Sequence, residues 1–185
     1  TRPLGIPTFE DKLLQRAVVM ALTPVYEQDF LDCSYGFRPG RSAHQALEAL
    51  WSGLMSMGGG YIIDLDIKSY FDTVDHQHVQ ELVRKRVRDG VIRRLIGKWL
   101  NAGVLENGQK TYSDSGVPQG GVVSPVLSNI YLHEVLDKWF AEQVLPRMTA
   151  KAFMVRYADD GVLVFANKSD ADKVFDVLPK RFAKF

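Results

Sequence analysis

Cysteine is almost missing: Cys33 is the only one in 185 residues, so no internal disulfide can form and no Cys/His cluster offers a zinc site. A reducing interior such as the cytoplasm is the expected setting. Long apolar runs are missing too. No stretch approaches roughly 18 uninterrupted apolar residues, which excludes a membrane-spanning helix, and no membrane partner is expected. Thr1 to Pro7 carries no charged start followed by an apolar stretch, so no secretory signal is expected. Glutamate is scarce, with 7 Glu against 15 Asp. Glu is the better helix former, whereas Asp favours caps, turns and metal shells, so the skew asks for a use of aspartate beyond helix surfaces. Charge of one sign is lacking as well: 23 Lys+Arg against 22 Asp+Glu leaves +1, and that balance announces no partner. What is there, 46% hydrophobic and 24% charged residues, describes a chain able to bury a sizeable core.

The opening segment Thr1-Arg2-Pro3-Leu4-Gly5-Ile6-Pro7 is extended and Pro-punctuated, has no initiator Met, and reads as the middle of a longer chain. Thr8 is the expected N-cap of a helix to about Gln28, with Leu13, Leu14, Ala17, Val18, Ala21, Leu22, Val25 and Tyr26 at helical spacing. A Gly/Pro/Arg loop leads to Ser42, the expected cap of a second helix reaching Met55. Tyr61 to Asp66 alternates as a strand, with Ile62, Asp64 and Asp66 sharing one face. Helices over roughly 76–88 and 91–102 come next, then an Asn107-Gly108 hairpin signal. Ser124-Pro125 opens a long helix to about Val144, with Leu127, Ile130, Tyr131, Val135, Leu136 and Trp139 as its buried stripe. A second hairpin runs from Ala152 to Tyr157, turns at Ala158-Asp159-Asp160, and returns over Gly161 to Ala166. A last helix from Ser169 places Ala171, Val174, Phe175, Leu178, Phe182 and Phe185 in phase, with Pro179 expected to kink or shorten it. This order predicts an α+β architecture, an antiparallel sheet backed by helices on one face.

The aspartates carry the chemistry. One Asp-Asp neighbour pair is about what chance supplies in this composition, so Asp159-Asp160 as a bare dipeptide has a plain alternative, two solvated turn residues. Two adjacent carboxylates at the tip of a tight apolar hairpin repel each other, a cost that a divalent cation removes. The first strand also ends in carboxylate, at Asp66, and the end of a central strand can lie beside a neighbouring hairpin. Three aspartates from two distant segments, with no His or Cys, describe a Mg²⁺ site of the kind that supports in-line phosphoryl transfer.

Tyr157-Ala158-Asp159-Asp160 resembles the YxDD box of reverse transcriptases, and Asp66-Ile67-Lys68-Ser69-Tyr70-Phe71-Asp72 resembles their first catalytic motif. Gly116-Val117-Pro118-Gln119-Gly120, followed by Ser124-Pro125-Val126-Leu127-Ser128-Asn129, is similar to the next block. Arg2-Pro3-Leu4-Gly5-Ile6-Pro7 and Tyr35-Gly36-Phe37-Arg38-Pro39-Gly40-Arg41-Ser42-Ala43-His44 are similar to the branch encoded within group II introns, the reverse transcriptase/maturases. The resemblance implies a polymerase palm-type antiparallel sheet backed by helices, with partial helical fingers. Residues 1–60 would be partial fingers and 61–185 the palm, with finger helices inserted at about 76–103; the N-terminal finger strands and the thumb would lie outside the chain. It further implies RNA-directed DNA synthesis from dNTPs on a DNA or RNA primer, along an RNA template or intron RNA, with a splicing maturase and mobility role in the parent. Two Mg²⁺ ions, replaceable by Mn²⁺, would be held by Asp66, Asp159, Asp160 and the Ile67 carbonyl. Arg2, Phe71 and Gln119 would contact the nucleotide, and the Phe71 ring would exclude a ribose 2′-hydroxyl.

Other residues have two readings. Asp64 shares the Asp66 face but lies deeper along the strand; Asp72 and Asp75 suit helix caps; His76 and His78 suit a solvated helix start. Gly58 to Gly60 reads as a turn, because it precedes a strand instead of a helix. Phe37, Arg38 and Arg41 suit either RNA contacts or a loop pinned by one buried ring. Arg84 to Lys98 forms a basic island, seven cations against Asp89 alone, and Arg84 and Arg86 are its candidate RNA contacts. The rival functions are a maturase that folds RNA without polymerising, a nucleotide cyclase with a similar palm, and a reverse transcriptase with a defence or diversity-generating role.

Overall fold

The computed structural model describes residues 6–67, 75–102, 104–106, 109–111 and 121–185. Helix α1 (Phe9–Tyr26) starts where Thr8 Oγ1 accepts from the Asp11 N–H, as its N-cap position predicts. Helix α2 (Ala43–Met57) is fixed by a full capping box between Ser42 and Gln45, and ends at Gly58 in the left-handed conformation, φ 70°. Strand β1 (Tyr61–Asp66) comes next, then α3 (His76–Arg86), capped by Asp75, and α4 (Gly90–Leu100), capped by Asp89. Strands β2 (Val104–Glu106) and β3 (Gln109–Thr111) pair antiparallel; Asn107-Gly108 itself lies outside the described residues. Helix α5 (Ser124–Leu132) continues through two π-helical segments, His133–Asp137 and Phe140–Val144, into a 3₁₀ turn. Strands β4 (Ala152–Tyr157) and β5 (Asp160–Phe165) and helix α6 (Lys168–Phe182) complete the order. The α+β class is borne out.

The chain divides into two compact units. One contains α1, α3, α4, the β2–β3 pair and α5 up to Tyr131; the other contains α2, β1, the helical continuation from Leu132, β4, β5 and α6. The division falls inside the 1–60 segment expected as fingers, between Gln28 and Asp29.

In the first unit α1 buries Gln15, Val18, Val19, Leu22 and Tyr26 rather than the expected Leu13, Leu14 and Ala17, which are exposed. The Gln15 amide oxygen accepts from the Val123 N–H at 3.2 Å, which explains a glutamine on the buried stripe. Tyr26, Val79, Val83, Ile96, Trp99, Leu127 and Ile130 supply the apolar interior. His76 is buried, its Nδ1 3.4 Å from Asn101 Oδ1, and so is no solvated helix start.

In the second unit the sheet order is β1-β5-β4, all antiparallel. Among the described residues β5, not β1, is the central strand. Ile63, Leu163 and Met154 stand in register across the sheet and meet Leu136, Trp139 and Phe140 of the helical run and Ala171, Val174 and Leu178 of α6. Phe175, expected in this stripe, is 64% exposed, and Pro179 lies within α6 without ending it. The helical run and α6 cover this face, but α2 packs on the opposite one at β4, where Gly53 meets the Phe153 ring, so the helix cover is not confined to the single face that the element order predicts.

Candidate active site

Period-2 geometry decides what the other face carries. Because β1 and β4 both pair with β5, Asp66, Asp160 and Tyr157 lie in one register row, with Asp64, Val162 and Val155 in the next. Asp160 is the first residue of β5, not part of the turn as expected, which leaves Ala158 and Asp159 as a two-residue connection. Directly paired antiparallel residues hold their Cα atoms about 4.5–5.5 Å apart. Asp66 and Asp160 are such a pair, and Asp159 adjoins them in sequence.

Electrostatics reports the crowding. The Asp160 carboxyl is held above the usual carboxylate range, first by desolvation, then by the charges of Asp159, Asp66 and Asp64. Each neighbouring carboxylate disfavours a further negative charge, and a cation reverses that penalty. Among the described residues no three His, Cys, Asp or Glu side chains are gathered closely enough to hold a metal ion as they stand. The donor set still fits one: hard carboxylate oxygens, paired in register, in a mutually repulsive field and without His or Cys. Ile67 follows Asp66 directly at the end of β1.

The hairpin turn is buttressed by the loop before α2. The Tyr35 N–H donates to the Arg156 carbonyl at 2.9 Å, and the Arg156 N–H donates to the Cys33 carbonyl at 2.7 Å, so Ser34 bridges the free edge of β4 in parallel. Gly36 then lies so close to the turn that an added Cβ would stand 2.2 Å from the Ala158 nitrogen. Ala158 itself is left-handed, φ 58°, which costs a non-glycine residue unless its surroundings fix it. Cys33 sits beneath this loop with its thiol pushed up to about 12, by burial first and by Asp137 second, and is no nucleophile.

A family model described as reverse transcriptase (RNA-dependent DNA polymerase) matches residues 1–185. The chain belongs to the reverse transcriptase family. The chain is 39% identical to Protein YkfC of Escherichia coli K12, over 88% of this chain and 50% of that protein. It is 49% identical to the group II intron-encoded protein LtrA of Lactococcus lactis subsp. cremoris, over 75% of this chain and 22% of LtrA. The chain thus spans half or less of these relatives. Among solved structures, a telomerase from Candida albicans in complex with a fragment of telomeric RNA superposes with TM-score 0.67 at 16% identity, covering 95% of this chain and 32% of the telomerase. That likeness shows a shared fold.

In this member of the family Phe37, Arg38 and Arg41 part company. Phe37 is 58% exposed with φ 58°, so it is not the buried ring that pins the loop. Arg38 is turned inward, 7% exposed, its Nη1 donating to the carbonyls of Leu31 at 2.7 Å and Ser34 at 2.8 Å and its guanidinium over the Phe30 ring. A buried guanidinium that satisfies internal carbonyls holds the loop, so the expected RNA contact does not suit Arg38. Arg41 pairs with Asp32 and lies over the Tyr35 ring, 5.3 Å from its centroid. In the first unit, Arg84, Arg93, Arg94 and Lys98 line a cavity of about 690 Å³ between α3 and α4, together with Gln80 and Asn101. Arg86 does not line it. Arg2, Phe71, Asp72 and Gln119 lie outside the described residues. Sequence reasoning missed two residues, Arg156 and Asp137, both fully buried near the hairpin; neither belongs to a recognisable local pattern.

Proposed function

We propose that this chain is the catalytic core of a group II intron-type reverse transcriptase, with Asp66, Asp159 and Asp160 as its metal-binding carboxylates. The single observation that carries the reading is the register row joining Asp66 to Asp160, with Asp159 beside it on a two-residue turn. Reverse transcriptases as a family use divalent metal ions; two Mg²⁺ at this site, exchangeable for Mn²⁺, would supply Lewis-acid stabilisation of in-line phosphoryl transfer. Asp66 and Asp159 would hold both ions, with Asp160 and the Ile67 carbonyl completing the donor set. Their mutual repulsion makes the empty carboxylate cluster costly and the cation-bound one favourable, so the site selects charge before it selects substrate.

The remaining roles are positional. Arg2 would clamp the triphosphate of the incoming dNTP, Gln119 would lie along the nucleotide, and Phe71 would close the space a ribose 2′-hydroxyl needs. Exposed Phe37 offers a ring for stacking on an unpaired template base, and Arg41 a charge next to it. Arg84, with Arg93, Arg94 and Lys98, would bind RNA phosphates, and Arg86 would add to the field from outside the cleft. The similarity to LtrA supports a parent that also serves its intron as a maturase, in a bacterial cytoplasm or an organelle. The test is primer extension on an RNA template by the full-length protein. Asp159→Ala should abolish extension while leaving the melting temperature at or above that of wild type. Extension that persists in the variant, or equal use of rNTPs and dNTPs by the wild type, refutes the reading.

A further inference from the structure

The least expected side chain in the second unit is Arg156. It is fully buried, 0% exposed, on the sheet face opposite the carboxylates, in register with Gly161 and Leu65. A buried guanidinium is costly unless its donors are met and its charge is opposed. Both conditions hold. Nε donates to Asp137 Oδ1 at 2.8 Å and Nη2 to Asp137 Oδ2 at 2.7 Å, a bidentate fork onto a carboxylate that is itself 0% exposed. Nη2 also donates to Ser34 Oγ at 2.8 Å, and Nη1 donates to the Ala158 carbonyl at 2.7 Å. That last bond reaches the hairpin turn. It ties down the left-handed residue between Tyr157 and Asp159, whose backbone Gly36 also approaches.

Asp137 closes the π-helical segment His133–Asp137, and His133, Val135 and Leu136 are buried with it, so the carboxylate lies on a helical run enclosed on more than one face.

We propose that Arg156, held by Asp137, is a positioning residue that fixes the Ala158 carbonyl and thereby the placement of Asp159 and Asp160 against Asp66. The proposal rests on the reading of those three aspartates as the metal-binding site. Because Asp137 matches its charge, Arg156 sets the turn by geometry and adds no net positive charge beneath the carboxylates. Lys in its place keeps the charge but cannot form the fork and reach Ala158 at once, since the three donors of an ammonium radiate from one nitrogen and lack the spread, planar arrangement of a guanidinium.

The experiment compares Arg156→Lys, the paired change Arg156→Met with Asp137→Leu, and Asp159→Ala in the full-length enzyme. The readouts are kcat for primer extension per folded molecule and the Mg²⁺ concentration giving half-maximal rate. The apolar pair removes both buried ions together, which a core tolerates far better than leaving one unpaired. We expect kcat to fall about 10- to 100-fold and the half-maximal Mg²⁺ concentration to rise several-fold in both Arg156 variants, the range seen when supports behind ligating groups are lost. A residue needed only for stability would lower the melting temperature and leave both kinetic readouts alone. Wild-type kcat and Mg²⁺ dependence in the folded apolar pair overturn the proposal; if that pair does not fold, the same result in Arg156→Lys overturns it. Persistent activity in Asp159→Ala would instead overturn the site reading, so the two failures are distinguishable.

Discussion

The cleft between α3 and α4 makes a quantitative demand on RNA binding. Four cations, Arg84, Arg93, Arg94 and Lys98, line it, with the amides of Gln80 and Asn101, and neither a carboxylate nor an aromatic ring is among its lining residues. With no ring to stack a base, and with the Gln80 amide engaged by Arg84 and the Asn101 amide by Gly97 and His76, four cations favour phosphates over base edges. Each phosphate neutralised contributes roughly −0.7 (single strand) to −0.9 (duplex) to the slope of log affinity against log salt. Four contacts therefore supply a slope of roughly −3, and raising salt from about 50 to 200 mM should cost on the order of 50- to 150-fold through this cleft alone. Replacing Arg93 and Arg94 together with Gln should flatten the slope by about 1.4 to 1.8. The assay is anisotropy of a labelled RNA over a KCl series, with Arg86→Gln, outside the lining, as the comparison. The affinity lost by the double variant should shrink as salt rises and be indifferent to RNA sequence. An affinity loss that is constant across the series, or an unchanged slope, would refute phosphate binding by this cleft.

Three further outcomes are expected. Gly36→Ala should force the loop and the hairpin turn apart, since its Cβ would stand 2.2 Å from a backbone nitrogen; a stability loss of about 1–3 kcal/mol with reduced extension is the expected cost of overpacking, and wild-type melting and activity would disprove the close approach. Asp170 is buried and accepts from Thr149 N and Oγ1, both at 2.8 Å, bonds that hold its carboxyl below the usual range. A depressed folded-state pKa adds stability that is complete above the unfolded-state value and lost as pH falls through the folded one, so the gap in melting temperature between wild type and Asp170→Asn should close on acidification; a gap independent of pH would count against it. Phe71→Ala should raise ribonucleotide incorporation relative to deoxynucleotide, read as the ratio of kcat/KM values, and an unchanged ratio removes Phe71 from its role as the sugar gate.

Most of the framework was legible because it is local. The β1 alternation, the short hairpin and the caps Thr8, Ser42 and Asp75 each depend on neighbours within four residues, and each appears where expected. The misreadings share one cause, which is that burial depends on what another element places opposite. Phe175 sits in phase on α6 yet stays exposed among the described residues, whereas Gln15 is buried because a backbone N–H of Val123 requires an acceptor. Arg38 looked like a nucleic-acid contact by residue type; the carbonyls of Leu31 and Ser34, which claim it, are invisible until the loop closes. Asp160 moved from turn to strand by a single residue, and that shift is what puts it opposite Asp66.

The net charge of +1 is best understood by where charge is cancelled and where it is not. Arg156 and Asp137 cancel within one buried pair, so they contribute order to the hairpin and almost nothing to the field above it. Asp66, Asp159 and Asp160 have no such partner among the groups that shift Asp160, and the result is a carboxyl raised first by desolvation and then by its own acidic neighbours. The α3–α4 cleft is the converse, four cations with no carboxylate in its lining. Like charges crowded together repel and oppose folding, a cost that a ligand of opposite sign relieves. On the proposed reading the two patches suit different ligands, a divalent cation at the sheet and a phosphate backbone at the cleft. A polymerase that copies RNA needs both.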